Sequence, residues 1–283
     1  MSELLNLIDE SLRTALKDAK QPVGYFLSGG IDSSTLVLLA SKYGPVETFS
    51  SVFPEPINER PYIDAVTDLT RSGSGRHLLT IPPPSERDTN ILIEIHGQKV
   101  PPSVHVQYKV LESAARAGIK TMIDGQGPDE MFGGYLWYQA VYVKTLLRNR
   151  HYGRALYELL GSLYHHWDFW VVSFKKYRKG QTQQYDKLLD IPIEELMLND
   201  LLKDSLPEEL VWLRDNAAYW GIEVISPYCV DKIVDYAKAL PMDQKIRFGT
   251  SKWILRQVTK GLLPEKVRNR RDKLGFPAPE EWK

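Results

Sequence analysis

Apolar residues first recur at helical spacing, at Leu4, Leu5, Ile8, Leu12 and Leu16, so residues 3–19 read as an amphipathic helix. Pro22 ends it. The period then shortens: 23–27 is a short, mostly apolar strand, and 33–43 is a helix with a long buried face. Residues 46–53 form a second strand, rich in types suited to a pleated surface. A helix around 58–71 and a third strand at 77–81 follow, before Pro82-Pro83-Pro84 breaks the chain. Helices at about 86–97 and 104–117 lead to a fourth strand at 119–123, which ends at Asp124. Alternation of strands and helices predicts an α/β fold, a parallel twisted sheet with flanking helices. Beyond Tyr135 the spacing is helical, with no clear strand until 222–226 and breaks near Gly180, Pro207, Pro227, Pro241 and Gly261. The expected division is an α/β core at 1–135 and a mostly helical portion at 136–283. The polar segment 171–186 reads as a mobile loop.

Composition narrows the class. Of 283 residues, 43% are hydrophobic and 25% charged, the balance of a globular protein with an ordinary core. Lys+Arg and Asp+Glu stand at 36 each, so no global field points to a nucleic acid or a membrane as partner. One cysteine, Cys229, excludes an intrachain disulfide and reads as a small buried hydrophobe, which fits a reducing cytoplasm. The first residues lack the basic and unbroken apolar regions of a signal peptide, and no stretch reaches the ~18 apolar residues of a membrane span. Adjacent His165 and His166 on one helix point different ways, which favours packing over metal binding.

The candidate chemistry lies in two glycine-rich segments, each directly after a predicted strand. In such sheets ligands bind at the carboxyl ends of the strands. Ser28-Gly29-Gly30-Ile31-Asp32-Ser33-Ser34 turns sharply from strand to helix. Its free N–H groups and the positive end of the helix favour an anion, and three hydroxyls add donors. Asp32 would oppose a bare anion, but makes sense if a divalent cation bridges it to phosphates. The Gly-Lys-Ser/Thr of a Walker A loop is absent. The second segment runs from Asp124 to Tyr135 and mixes glycines with Asp129 and Glu130. Magnesium takes one or two carboxylates beside substrate phosphates, and Asp32 with Asp129 supply such a pair.

S-G-G-I-D-S-S followed by G-Q-G-P-D-E-M-F-G-G-Y resembles the synthetase domain of the asparagine synthase family, whose core is a PP-loop, adenine nucleotide alpha-hydrolase-like fold. Lys252 to Arg256 resembles that family's K-x-x-L-R helix. Leu263-Pro264 with Arg271 to Pro277 resembles its P…R-x-K-x-G-F-P segment, and Gly221 to Tyr228 its I-E-V-R-x-P-F stretch. The resemblance implies an ATP-dependent ligase that forms AMP and pyrophosphate. A carboxylate, aspartate or another small acid, becomes an acyl-adenylate that ammonia or an amine then attacks. It assigns pyrophosphate to Ser28, Gly29, Gly30, Asp32, Ser33 and Ser34, and Mg2+ to Asp32 and Asp129. Leu27, Val52 and Gly125 would surround adenosine. Lys252 would approach the phosphates, and Lys273 would stabilise the charge that develops in the transition states.

Departures qualify the resemblance. Too few residues precede the first loop to form the glutaminase domain of classical members, so the expected nitrogen source is free ammonia, a separate glutaminase subunit or another amine. Gln126 stands where many members carry a glutamate; an amide is no general base, so Glu130 or the substrate amine would manage the proton. Ile225 and Val230 replace the arginine and aspartate of R-x-P-F-L-D, and 214–218 departs from D-R-N/x-S-M, which weakens aspartate as substrate. The chain also ends close after the R-x-K segment. Two other readings stay open: a PP-loop enzyme with a different acceptor, and a non-catalytic or regulatory nucleotide-binding subunit.

Overall fold

The structure, a computed structural model, describes residues 3–54, 57–168, 170–171, 189–271, 279 and 282. Five strands form one sheet in the order β3-β2-β1-β4-β5: β1 (Val23–Phe26), β2 (Glu47–Val52), β3 (Gly75–Thr80), β4 (Thr121–Ile123) and β5 (Glu223–Ile225). Every pairing is parallel, as the alternation of strand and helix predicts. The order grows outward from β1 to β3 and then returns to place β4 on the other side of β1. The switch point therefore falls between β1 and β4, and both glycine-rich segments leave the sheet there.

The first compact unit comprises 1–126, 208–230 and 258–283. It holds the sheet with helices α1 (Glu3–Asp18), α2 (Ile31–Ala40), α3 (Arg60–Thr67), α4 (Glu86–His96) and α5 (Pro102–Arg116). The central strands are buried, with Thr48, Ser50, Ser51 and Thr121 among their buried residues beside Tyr25, Phe26, Phe49, Met122 and Ile123. Phe26, Phe49, Val106, Leu111, Met122 and Leu213 form one continuous core. Gly24 makes room in β1 for its neighbours: a Cβ there would lie 2.6 Å from Met122 Sδ and 3.0 Å from the Phe49 ring.

The second unit comprises 127–207 and 231–257. Helices α6 (Pro128–Phe132), α7 (Leu136–Arg148), α8 (Tyr152–His165) and α9 (Ile193–Leu202) enclose a core of Tyr138, Tyr142, Leu146, Ile193 and Met197. Helix α10 (Ser205–Tyr219) carries the chain from this unit back to the first. Pro207, expected to break a helix, sits in the first turn of α10, where the missing N–H would be unpaired anyway. After α11 (Asp231–Ala239) and α12 (Met242–Lys245) comes a tight turn in which Arg247 and Thr250 exchange backbone hydrogen bonds of 3.1 and 2.9 Å. Its central residues, Phe248 and Gly249, have φ of 47° and 60°, the conformation of a two-residue hairpin turn.

Side chains from α7, α8 and the residue that caps α8 pin that turn. Gly249 N–H donates to the Glu158 carboxylate at 3.1 Å, and the Gly249 carbonyl accepts from Gln139 at 2.9 Å and His166 at 3.1 Å. His166 is thus a buried structural donor, and burial holds its pKa below the usual imidazole value. The turn leads into α13 (Trp253–Val258); α14 (Glu265–Arg268) belongs to the first unit. Most of the predicted mobile loop, 172–186, lies outside the described residues. Among the described residues no helix is long and apolar enough to cross a membrane.

Candidate functional site

In the first unit β1 runs into the loop 27–30 and then α2. Leu27 is buried and donates its N–H to Phe49 in β2 at 3.0 Å, and Val52 is the half-buried last residue of β2. Ser33 Oγ accepts the Ser28 N–H at 3.2 Å and meets Ser28 Oγ at 3.2 Å, which closes the loop on the first turn of α2. Gly30 is the N-cap of α2, with no side-chain oxygen over the helix end. The first-turn N–H groups therefore face the loop, the arrangement that binds anions. Asp32 is only 2% exposed, in that same turn, and Ser34 Oγ is buried without a hydrogen-bond partner among the described residues. Tyr228, fully buried, donates its hydroxyl to the Asp32 carbonyl at 3.1 Å.

Gly29 has φ of +64°, and a Cβ there would lie 2.6 Å from the Cβ of Tyr62 at the start of α3. Gly29→Ala therefore combines left-handed strain with a steric clash, each costing about 1–3 kcal/mol. Chemical denaturation should show this loss together with a loss of nucleotide binding. Unchanged stability and binding would mean that the loop tolerates displacement. Tyr62 also carries a buried cation: the Arg270 guanidinium lies 4.1 Å from its ring centroid, pairs with buried Glu59 at 2.9 Å, and donates to the Ser28 carbonyl at 3.2 Å.

The loop after β4 lies alongside. A Cβ on Gly125 would approach Ser33 N to 3.1 Å, so the glycine lets the two loops touch at the switch point. Asp124 Oδ2 accepts from Gln126 N–H at 3.0 Å and from Ser226 Oγ at 3.2 Å. Gln126 donates its side-chain amide to Glu209 at 3.3 Å, while its Oε1 is buried without a hydrogen-bond partner among the described residues. Cys229, expected as a buried hydrophobe, is instead half-buried, with its thiol 3.6 Å from the Gln126 carbonyl. It shares the wall of a pocket of about 220 Å³ with Leu213, Arg214, Val224, Ile225 and Ser226, at the carboxyl end of β5.

In the second unit α6 is a single short helix between Gly127 (φ 108°) and the left-handed Gly133 (φ 71°). Asp129 Oδ1 pairs with buried Lys252 Nζ at 2.7 Å. Lys252 has φ of 52° and donates its N–H to the Phe132 carbonyl at 3.1 Å, so the hairpin turn held by α7 and α8 feeds directly into this pair. Gly134 leaves the space beside Asp129 Oδ1 and the Lys252 stem that a Cβ would occupy. Glu130, 2% exposed, accepts from Tyr135 Oη at 2.6 Å and from Ser205 Oγ at 3.3 Å. Burial, with the neighbouring Asp129 charge, raises its pKa to about 7 against the opposing effects of Tyr135 and Lys252. Lys245 is buried as well, and desolvation lowers its pKa to about 8.

Among the described residues no three His, Cys, Asp or Glu side chains gather as a metal-binding group. Lys273 lies outside the described residues. Three contributors escaped the sequence reading: Arg270, Glu59 and Glu209. Their contacts span long stretches of chain and leave no local pattern, although a cation beside a phosphate loop is a chemical expectation that could have prompted a search.

Fold and loop geometry define an α/β protein of the PP-loop class, with a glycine-bearing loop on each side of the switch point. The chain belongs to the asparagine synthase family, whose match extends over residues 3–282. It is similar to asparagine synthetase (glutamine-hydrolyzing) 1 of Bacillus subtilis (strain 168), at 24% identity over 99% of this chain and 50% of that protein. It is also similar to asparagine synthetase (glutamine-hydrolyzing) 3 of the same organism, at 22% identity over 88% of this chain and 44% of that protein. The chain thus spans about half the length of the curated relatives it matches.

Proposed function

We propose that this protein is an ATP-dependent ligase that joins a carboxylate to ammonia or an amine, with release of AMP and pyrophosphate. The observation that carries this reading is the contact of Gly125 with Ser33. It brings the start of the loop after β4 against the N-terminus of α2, a helix end of the kind that suits phosphate. A carboxylate oxygen of the acyl substrate attacks the α-phosphorus of ATP, and the bond to the β-phosphate oxygen breaks. The nitrogen nucleophile then adds to the acyl carbon, AMP departs, and one proton leaves the nitrogen.

The N–H groups at the start of α2 and the hydroxyls of Ser28, Ser33 and Ser34 would hold the leaving pyrophosphate. Leu27, Val52 and Gly125 would line the adenosine. Each unit offers one carboxylate of the kind magnesium takes from a protein, Asp32 in the first and Asp129 in the second. Because magnesium commonly keeps waters and substrate oxygens, single carboxylates fit it without an all-protein cage. Bound with the nucleotide, the ion would neutralise charge on the phosphates. Lys252 and Lys273 would add positive charge where negative charge develops.

Gln126 cannot take a proton, but its amide holds Glu209, a carboxylate that can. Glu209 joins Glu130 as a candidate for the proton work. The pocket beside Cys229 would take one of the organic substrates, and Ile225 makes part of its wall apolar. A nitrogen supply from glutamine, which the relatives are named as hydrolyzing, would require a glutaminase activity acting with this domain.

The test is product analysis with ATP, magnesium and a panel of small carboxylic acids plus ammonia or amines. Pyrophosphate and AMP should form in step with an amide detected by mass spectrometry. ADP and orthophosphate would overturn the adenylation reading, and ATP binding with no turnover of any acid would favour a regulatory subunit.

A further inference from the structure

Among the described residues of its unit, the side of α8 that faces away from the pinned turn is left exposed. Its buried positions are Ala155, Glu158, Gly161 and Ser162, spaced as one helical face. The opposite face exposes Tyr152 (63%), Leu156 (58%), Leu160 (53%) and Tyr164 (78%), flanked by Tyr157 and Trp167. Among the described residues no charged side chain stands within this row; half-buried Arg154 borders it, with its guanidinium 5.7 Å from the Tyr157 ring centroid, and exposed Arg150 and Asp168 lie beyond its two ends. At roughly 150–250 Å² per large side chain, the exposed part comes to about 700 Å². Monomeric proteins rarely leave so large a contiguous patch without a binding role.

We propose that this face is the interface of a homodimer, in which α8 pairs antiparallel with α8 of a second copy across a twofold axis midway between Leu156 and Leu160. The order of side chains carries the argument. Tyr, Leu, Leu and Tyr follow one another at four-residue spacing, so the row reads the same in both directions. Under a twofold axis Tyr152 meets Tyr164 of the second copy, and Leu156 meets its Leu160. A twofold interface requires this self-complementarity, and a row facing an unrelated partner does not. Rows at four-residue spacing interlock when helices cross at about −50°. Helices crossing so are closest at the centre, where the row has the shorter leucines, and diverge towards the ends, where it has the longer tyrosines.

Charge supports the same orientation. The antiparallel arrangement brings the Arg150 end of one stripe towards the Asp168 end of the other and opposes the helix dipoles. A parallel arrangement would put like charge against like. Two such faces bury at most about 1,400 Å² in total, which reaches the range of specific protein interfaces.

Sedimentation or light scattering on the intact protein at micromolar concentration should give twice the 32.4 kDa chain mass. The double variant Leu156→Glu/Leu160→Glu should halve that mass and still unfold cooperatively, losing only the stabilisation that dimer formation adds, because both side chains are exposed in the single chain. A wild-type protein that stays monomeric up to about 100 times higher concentration would overturn the proposal. So would a dimer that survives the double substitution. Register is read separately: Leu156→Cys mixed with Leu160→Cys should oxidise to a mixed dimer faster than either variant alone. Faster self-linking of both single variants would mean a parallel pair and overturn the antiparallel one.

Discussion

Asp32→Ala is expected to lower ATP-dependent pyrophosphate release by about 10²–10³-fold, the range found when one preorganised electrostatic contact at a reacting group is removed. The expectation follows from a conflict within the loop. The N-terminus of α2, uncapped by any side chain, attracts anions, yet Asp32 places a buried negative charge in its first turn. Toward a bare phosphate this charge is repulsive, and it becomes favourable only with a cation between them. Asp32→Asn separates the two effects with little change in shape. In a chelator it should bind ATP at least as tightly as the wild type, because a repulsion is gone. With magnesium present it should turn over as slowly as the alanine variant. Calorimetry for binding and a pyrophosphate assay for turnover decide the matter, and a wild-type rate in either variant would remove Asp32 from the chemistry. Tyr228 anchors the carbonyl and not the carboxylate of Asp32, so this hydrogen bond survives both substitutions.

The first unit's architecture was legible because its signals are local. Short apolar strands, the glycines that follow them and the alternation with amphipathic helices each lie within a few residues. Together they leave few topologies besides a helix-covered parallel sheet. The loops were legible for the same reason: Gly29 and Gly125 are glycines because something lies where a side chain would be. What surrounds them was not legible. Arg270 reaches the Ser28 carbonyl from the far end of the chain, and its partners Glu59 and Tyr62 belong to a different element again. Any such contact depends on how the elements pack, which no local spacing records. Gln126 illustrates the limit from the other side. Its identity in the sequence only removes a base, whereas its hydrogen bond to Glu209 supplies a carboxylate at the same place. Pro207 was misread as a break because its effect depends on its position in the helix, harmless in a first turn and disruptive further in.

The other large effect is expected from pH. Glu130 has a folded-state pKa of about 7 against an ordinary 4.5, mainly through burial. Below about pH 4.5 it is neutral in both folded and unfolded states, so its protonation costs nothing on folding. As pH rises towards 7 the unfolded chain releases the proton while the folded one retains it, and folding must work against the ionisation given up. Stability is therefore lost with rising pH through this window, by on the order of 3 kcal/mol from this group. Denaturant unfolding at pH 5 and pH 8 should show the slope, and Glu130→Gln, which mimics the neutral acid, should remove it. The same poise suits proton transfer near neutrality, where both forms are populated. The pH–rate profile should therefore inflect near 7, and the inflection should vanish in Glu130→Gln. Tyr135 supplies an internal check. Its hydroxyl hydrogen bond favours the carboxylate form, so Tyr135→Phe should move the inflection to higher pH. An inflection that stays put in Tyr135→Phe, or persists in Glu130→Gln, would belong to another group, and Glu130 would then be a buried acid of structural importance alone.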